Sequence, residues 1–181
     1  MMPGRPVIIH ALAMTALLLS SSGHAGWRTA VPDAQLIGEG EFRFLGLAIY
    51  QARFWSADSA QDSPLNMASP FALELTYRRA ISRDDLVDTS IKEIRRLDLA
   101  PNDPSVLARW EQEMRAAFVD VRAGERITGV FVPGEGARFY VAGVLHHSVP
   151  DEAFAKAFFA IWLDERTRSA KLRAQLLGEA R

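Results

Sequence analysis

The stretch GEGEFRFLGLAIYQARFW, residues 38–55, decides the fold of this chain. Two glycines open it, Gly46 bends it, and the residues on both sides of that bend have the composition of β-strands. Successive side chains of a strand point to opposite faces, and both faces of the second limb carry large apolar groups. This pattern predicts a central strand covered on both sides. On one face Ala48 and Ala52 flank Tyr50, which leaves room for a ligand against the strand.

The composition predicts one globular domain. The chain has 181 residues, of which 49% are hydrophobic, and this is enough for one core without indicating a second. The net charge is −1 and no run of lysine and arginine forms a basic stripe, so no nucleic-acid partner is expected.

Residues 1–25 have the pattern of a secretory signal peptide. Arg5 supplies the positive start, Val7 to Leu19 form the apolar segment, and Gly23-His24-Ala25 form a small-residue cleavage site. The alternative is an N-terminal membrane anchor, but the apolar run is short for a span, which needs about 20 residues. Cleavage would leave a domain of residues 26–181, periplasmic or secreted, with no stable membrane span.

The order of predicted elements is that of an α+β fold. Strands at 35–45 and 47–56 are followed by a polar loop at 57–69 and by a strictly alternating strand from Phe71 to Tyr77. The later part of the chain predicts, in order, a helix capped by Ser82, a helix capped by Asp103, a β-region over 126–149, a helix from Asp151 to Trp162 and a short helix ending before Gly178. This order indicates a large antiparallel sheet covered on one face by helices.

Few residues carry obvious chemistry. The chain has no cysteine, which excludes disulfides and thiol catalysis. His146 and His147 are adjacent on a predicted strand and point to opposite faces, so no metal site is expected. The stretches Gly38-Glu39-Gly40 and Gly134-Glu135-Gly136 lack the third glycine or the lysine of phosphate-binding loops. No cofactor is therefore predicted.

Arginines and tyrosines on neighbouring strands are the predicted ligand-binding residues: Arg43, Tyr50, Arg53 and Tyr77. A guanidinium group is a permanently charged planar donor that suits a carboxylate or phenolate, and a tyrosine hydroxyl can share that oxyanion. In a half-apolar cleft this combination selects an amphipathic acid. The alternative for each arginine taken singly is a solvated surface position.

Five segments in this order resemble the chalcone isomerase-like family, specifically its bacterial exported branch. They are GEGEFRFLGLAIYQARFW, FALELTYRRAISRDDL, a Trp/Met helix, AGERITGVFVPGEGARFYVAG and AFAKAFFAIWLDERT, and the resemblance covers residues 36–178. It implies an open-faced β-sandwich, in which helices cover a ligand cleft on a large antiparallel sheet. The family contains plant enzymes that cyclise chalcones to flavanones and non-catalytic members that bind fatty acids.

The resemblance also implies which positions would hold the polar groups of the enzymes. Their arginine falls on Phe42, their cleft threonine near Tyr50, their helix tyrosine on Leu86, their asparagine on Glu93 and their later threonine near Ile161. Arg43 lies one residue late, which places its side chain on the other face unless a β-bulge intervenes. Most of the enzymes' polar groups are therefore replaced.

We therefore expect an exported, non-catalytic protein that binds a small hydrophobic or amphipathic molecule such as a fatty acid. Arg43 or Arg53, with Tyr50, would hold the acidic end of that ligand. Two alternatives stay open. One is an isomerase of the chalcone-flavanone type, and the other is a cell-envelope interaction module whose cleft is packed shut.

Overall fold

The computed structural model of the protein describes residues 26–57 and 67–179. Within these ranges six strands form one antiparallel sheet, and each strand pairs with its neighbours in the chain. The strands are β1 (Gln35–Phe44), β2 (Leu47–Ser56), β3 (Phe71–Tyr77), β4 (Arg126–Val132), β5 (Gly136–Val141) and β6 (Val144–Val149). The predicted antiparallel sheet is confirmed.

Helices pack on one face of this sheet. In the described ranges they are α1 (Arg83–Arg96), α2 (Pro104–Ala117), α3 (Glu152–Leu163) and α4 (Ala170–Leu176). The two caps predicted from the sequence are confirmed: the Ser82 side chain accepts the Asp85 N–H at 3.1 Å at the start of α1, and Asp103 caps α2. At the start of α3 the Asp151 carboxylate accepts the Phe154 N–H at 2.9 Å, a cap that was not predicted. Each cap satisfies a backbone donor that the first turn of a helix leaves free, which fixes where these helices start.

The main core lies between the sheet and the helices. Phe54 of β2, Phe71 of β3 and Phe154 and Phe159 of α3 are fully or almost fully buried there. The rings of Phe71 and Phe159 meet edge to face, with centroids 4.9 Å apart. Because these aromatics belong to both layers, their packing sets the distance between α3 and the sheet.

The opposite face of the sheet is covered only in part. A 3-10 turn, Trp27–Thr29, packs its tryptophan on Trp55 with ring centroids 5.6 Å apart, and Val31 joins this second cluster. Towards the other end of β2, Arg53 lies in surface ion pairs. The prediction that β2 is central and covered on both sides is therefore wrong in part, because β2 lies second from the edge and one end of its outer face is solvated.

α4 approaches β1 closely at Gly38. A β-carbon on Gly38 would lie 2.0 Å from the Gln175 carbonyl oxygen and 2.6 Å from that of Leu176. The glycine at the start of the opening stretch therefore permits backbone-to-backbone contact between α4 and the edge strand.

The predicted signal peptide, residues 1–25, lies outside the described residues, as does the middle of the predicted loop at 58–66. Among the helices of the described residues, none combines the length and hydropathy that a membrane span requires.

Candidate functional site

A cavity of about 390 Å³ lies between the sheet and the helical layer. β1 to β5 contribute its floor, while α1, α3 and the connection from α3 to α4 contribute its walls. Most of the lining side chains are apolar, as is typical of small-molecule sites. They include Phe42, Phe44, Ile49, Leu73, Leu75, Ile81, Leu86, Phe118, Ile127, Phe139, Phe158, Phe159, Ile161 and Leu172.

A β-bulge shapes the part of the floor nearest the β1–β2 turn. Phe42 pairs with Tyr50 and Arg43 pairs with Ala48, so Ile49 is the extra residue on β2. A bulge bends its strand and changes the direction of the side chains around it. Ile49 and Tyr50, although adjacent in sequence, both line the cavity.

Aromatic rings form the deep wall. Phe139 of β5 contacts Phe158 of α3 with ring centroids 5.2 Å apart and Phe118 with centroids 5.5 Å apart. Phe159 lies over Gly129, where a β-carbon would come within 3.1 Å of its ring. The small residue in β4 therefore makes room for an aromatic ring of α3, and the wall stays apolar.

Tyr50 is one of two tyrosines on the floor. Its hydroxyl oxygen accepts a hydrogen bond of 2.9 Å from the indole Nε1–H of Trp162. Burial of the phenol raises the pKa of Tyr50 far above its usual value; the bond from Trp162 opposes this rise, and the negative charge of Glu93 adds to it. The hydroxyl therefore stays neutral and keeps its proton while its oxygen is occupied by the indole.

Tyr77 lies beside Tyr50 on the next strand. The two residues are paired across β2 and β3, and their ring centroids are 6.1 Å apart. Burial also raises the pKa of Tyr77 well above its usual value, and Tyr50 adds to the rise. Within the part of the chain that the structure describes, no group hydrogen-bonds the Tyr77 hydroxyl. Two neutral hydroxyls with protons to donate thus line an otherwise apolar floor.

A charged cluster borders the cavity on α1. Glu93 is 7% exposed, accepts a hydrogen bond of 2.9 Å from Arg96 Nε, and is also bonded by Arg168 from the α3–α4 connection. Lys92 lines the same border and is exposed. Two guanidinium groups compensate the buried Glu93 carboxylate. The charged residues of the lining are two cations, Lys92 and Arg168, and two carboxylates, Asp85 and Glu93.

Arg43 and Arg53 lie elsewhere. Arg43 is exposed, pairs with Glu41 at 2.8 Å and bonds the Gly46 carbonyl at 3.1 Å. Arg53 pairs with Glu39 at 2.8 Å on the outer face of the sheet. Neither arginine lines the cavity, whereas Tyr50 and Tyr77 both do. The four residues lie on neighbouring strands as expected, but the structure brings only the two tyrosines together. A ligand-binding role for any of the four stays a prediction.

Comparison with known proteins places the chain in a family. The family model described as chalcone isomerase-like matches residues 34–178. The chain belongs to the chalcone isomerase-like family. Among solved structures, a fatty-acid binding protein of Arabidopsis thaliana is similar, with 12% sequence identity and a TM-score of 0.61 over 81% of this chain and 88% of that one. This likeness confirms the predicted open-faced fold. No curated protein matches the sequence significantly.

The positions that the sequence resemblance matched to polar groups of the enzymes all line the cavity. They are Phe42, Tyr50, Leu86, Glu93 and Ile161. Three of these five side chains are apolar, and the matched arginine is a phenylalanine. Sequence reasoning missed Trp162 and Arg168, whose roles depend on contacts with Tyr50 and Glu93 from distant parts of the chain. The sequence identified Trp162 only as the end of a predicted helix.

His146 and His147 lie on β6, at the edge of the sheet opposite β1. His147 Nε2 lies 2.7 Å from a carboxylate oxygen of Glu113 on α2, and His146 is exposed. Among the described residues, no group of three or more histidine, aspartate and glutamate side chains is arranged to hold a metal ion. His147 therefore serves as a contact between β6 and α2.

Proposed function

We propose that this protein is a non-catalytic carrier or sensor of a small, mostly apolar molecule that ends in an oxygen acceptor, and that fatty acids are the first class to test. One observation carries the proposal. Tyr50 and Tyr77 both line an apolar cavity as neutral hydroxyls, and Tyr77 has no hydrogen-bond partner among the described residues. Because Tyr77 lines the cavity, its hydroxyl can donate a hydrogen bond to a ligand oxygen.

The size of the cavity supports a ligand of modest length. Its volume of about 390 Å³ falls in the lower part of the range for small-molecule sites, roughly 300–1,000 Å³. The interaction module with a closed cleft, the alternative considered from the sequence, has no use for such a space. Leu73, Leu75 and Ile127 would contact the hydrocarbon part of the ligand, and their burial of its surface would supply most of the affinity.

Two cations at the border could pair with the acidic end of a ligand. Arg168 and Lys92 line the cavity, although Asp85 and Glu93 line it too and would repel a carboxylate that came close to them. We therefore propose these two cations in place of Arg43 and Arg53, which lie outside the lining. The carboxyl group would approach the tyrosine hydroxyls with Arg168 as its nearest cation.

The side chains argue against isomerase chemistry. Stabilising a developing oxyanion requires charged or polar donors aimed at the reacting oxygen. Phe42, Leu86 and Ile161 offer none at the positions that correspond to enzyme donors. We therefore propose binding without catalysis, and chalcone cyclisation above the uncatalysed rate would overturn that part of the proposal.

We also propose export. The support is the signal-like pattern of residues 1–25, which would place the domain of residues 26–181 in the periplasm or outside the cell and fits an exported branch of the family. Fractionation of expressing bacteria, followed by mass determination of the product, tests this. A mature chain beginning at Gly26 outside the cytoplasm is expected, and a full-length cytoplasmic chain would contradict it.

Native mass spectrometry of the gently purified protein, with thermal-shift assays on added palmitate, tests the binding proposal. A bound mass or a raised Tm is expected. Leu75→Trp would fill the cavity and should abolish both effects. Thr76 is the next residue on β3 and does not line the cavity, so the control variant Thr76→Trp should keep both effects. Circular dichroism confirms that both variants are folded. Equal binding by both folded variants, or no binding by the wild type, would contradict the proposal.

A further inference from the structure

Two turns at one end of the sheet expose large apolar side chains. Phe44, Leu45 and Leu47 lie at the β1–β2 turn, and Val144 and Leu145 lie at the β5–β6 turn. In an antiparallel sheet with consecutive strand order, these two turns fall at the same end. They are four strand spacings apart, or roughly 19 Å. We call this end of the sheet the apolar end.

The exposure at these turns is extreme for apolar residues. Leu45 is 86% exposed and Val144 is 71% exposed. Of the large hydrophobic residues that the described structure leaves exposed, only Leu36 lies away from the two turns, near the opposite end of β1. Single exposed leucines are ordinary, but a concentration at one end of a domain indicates an interaction site.

In the first turn the apolar residue Leu45 has a backbone conformation that is unfavourable for its side chain. Leu45 has φ of 50° and Gly46 has φ of 81°, the left-handed pair of a two-residue hairpin turn. Asparagine or aspartate normally precedes the glycine in such turns, since a side chain like leucine is unfavourable at positive φ. Leucine at this position is unfavourable because of the positive φ, and its side chain is exposed and not buried within the domain. A contact outside the domain would explain why leucine is present there.

Cations surround the first turn. Arg43 flanks it on β1, and Arg78 and Arg79 follow the end of β3 beside it. Glu41 is the carboxylate that contacts Arg43 and Arg78, and among the described residues Arg79 has no ion-pair partner. Three guanidinium groups against one carboxylate give this turn a positive rim, which complements a negatively charged surface.

We propose that the apolar end is a docking surface for a lipid bilayer that contains anionic lipids. Two exposed apolar hairpin turns, the first of them with a cationic rim, can enter the headgroup region, whereas a protein partner would require a broad matched surface. The chain also enters the domain at this end, because Gly26 lies against the Gly143 carbonyl in the second turn. Phe44 belongs both to the tip and to the cavity lining, so docking would bring the cavity to the lipid surface.

Co-sedimentation of the purified domain with vesicles tests this proposal. Wild-type protein should bind vesicles of phosphatidylcholine and phosphatidylglycerol, and more weakly vesicles of phosphatidylcholine alone. Leu45→Asn removes an apolar anchor while giving the turn its preferred residue, so vesicle binding should fall by about tenfold while Tm stays equal or rises. Leu36→Asn is the matched control at the other end of the sheet and should leave vesicle binding unchanged.

Several outcomes would overturn the proposal. They are the absence of wild-type binding to anionic vesicles, equal losses for Leu45→Asn and Leu36→Asn, and a lipid-free dimer that Leu45→Asn dissociates in light-scattering measurements. The last outcome would assign the tips to a second copy of the chain. The inference does not rest on the proposed ligand, because palmitate binding is measured without vesicles and can succeed or fail separately.

Discussion

The hydrogen bond between Trp162 and Tyr50 links the helical layer to the floor of the cavity, and Tyr50→Phe tests it. Trp162 is 9% exposed, and its indole Nε1–H donates to the Tyr50 hydroxyl at 2.9 Å. The substitution keeps the ring and removes the acceptor, so a buried donor is left without a partner. Such a donor costs about 1–3 kcal/mol of the free energy of unfolding. In a domain of this size each kcal/mol lowers Tm by about 2–4 °C.

Urea denaturation followed by far-ultraviolet circular dichroism measures this cost without relying on tryptophan fluorescence. Tyr77→Phe is the control, since its hydroxyl bonds no described group, and it should change the free energy of unfolding by less than about 0.5 kcal/mol. A double-mutant cycle of Tyr50→Phe and Trp162→Phe should give a coupling free energy of about 0.5–1.5 kcal/mol between the two side chains. Equal effects of Tyr50→Phe and Tyr77→Phe, or strict additivity in the cycle, would refute the reasoning.

Two further predictions concern the supports of the cavity. Burial of the Asp151 carboxyl opposes its ionisation, but hydrogen bonds from the Phe154 N–H, Trp110 and Arg109 outweigh burial and lower its pKa below 3.8. Asp151→Asn should therefore lower the free energy of unfolding by about 1 kcal/mol at neutral pH. The stabilisation from the Asp151 carboxylate is present above pH 3.8 and is lost as the pH falls through the folded-state pKa. The difference in Tm between Asp151→Asn and the wild type should therefore shrink on acidification. A difference that stays constant with pH would contradict this role of Asp151. Gly38→Ala places a β-carbon 2.0 Å from a backbone oxygen of α4 and should cost about 1–3 kcal/mol in urea denaturation. The β-carbon added by Gly40→Ala would meet mainly flexible side chains, so this variant should lose less stability than Gly38→Ala. A larger loss for Gly40→Ala would contradict the close backbone contact between Gly38 and α4.

Much of the fold could be predicted because local patterns agree with the final architecture. The alternation of β3, the Ser82 and Asp103 caps, and the glycine turns each specify a boundary that the structure keeps. Such signals are short in range and depend on side chains that satisfy nearby backbone groups or alternate across a strand. The extra residue at Ile49 was not predicted, since a bulge depends on pairing with the neighbouring strand.

The site was less predictable, because its polar groups are set by contacts between distant segments. The sequence indicated Tyr50 and Tyr77 through their positions on neighbouring strands, and both line the cavity. It indicated Arg43 and Arg53 through their charge and their positions on the same strands, yet nearby glutamates pair with both on the outer surface. Arg168 reaches the cavity border only because the α3–α4 connection folds back over α1, and no local pattern reveals that.

The central claim is that the cavity binds a ligand oxygen through tyrosine hydroxyls. Calorimetric titration of palmitate into wild-type protein, Tyr77→Phe and Tyr140→Phe tests it most directly, since Tyr140 is equally buried but belongs to the cluster on the opposite face of the sheet. We predict that Tyr77→Phe weakens the Kd by roughly 2- to 12-fold, the loss of one hydrogen bond, while Tyr140→Phe matches the wild type. Identical dissociation constants for all three proteins would contradict the account.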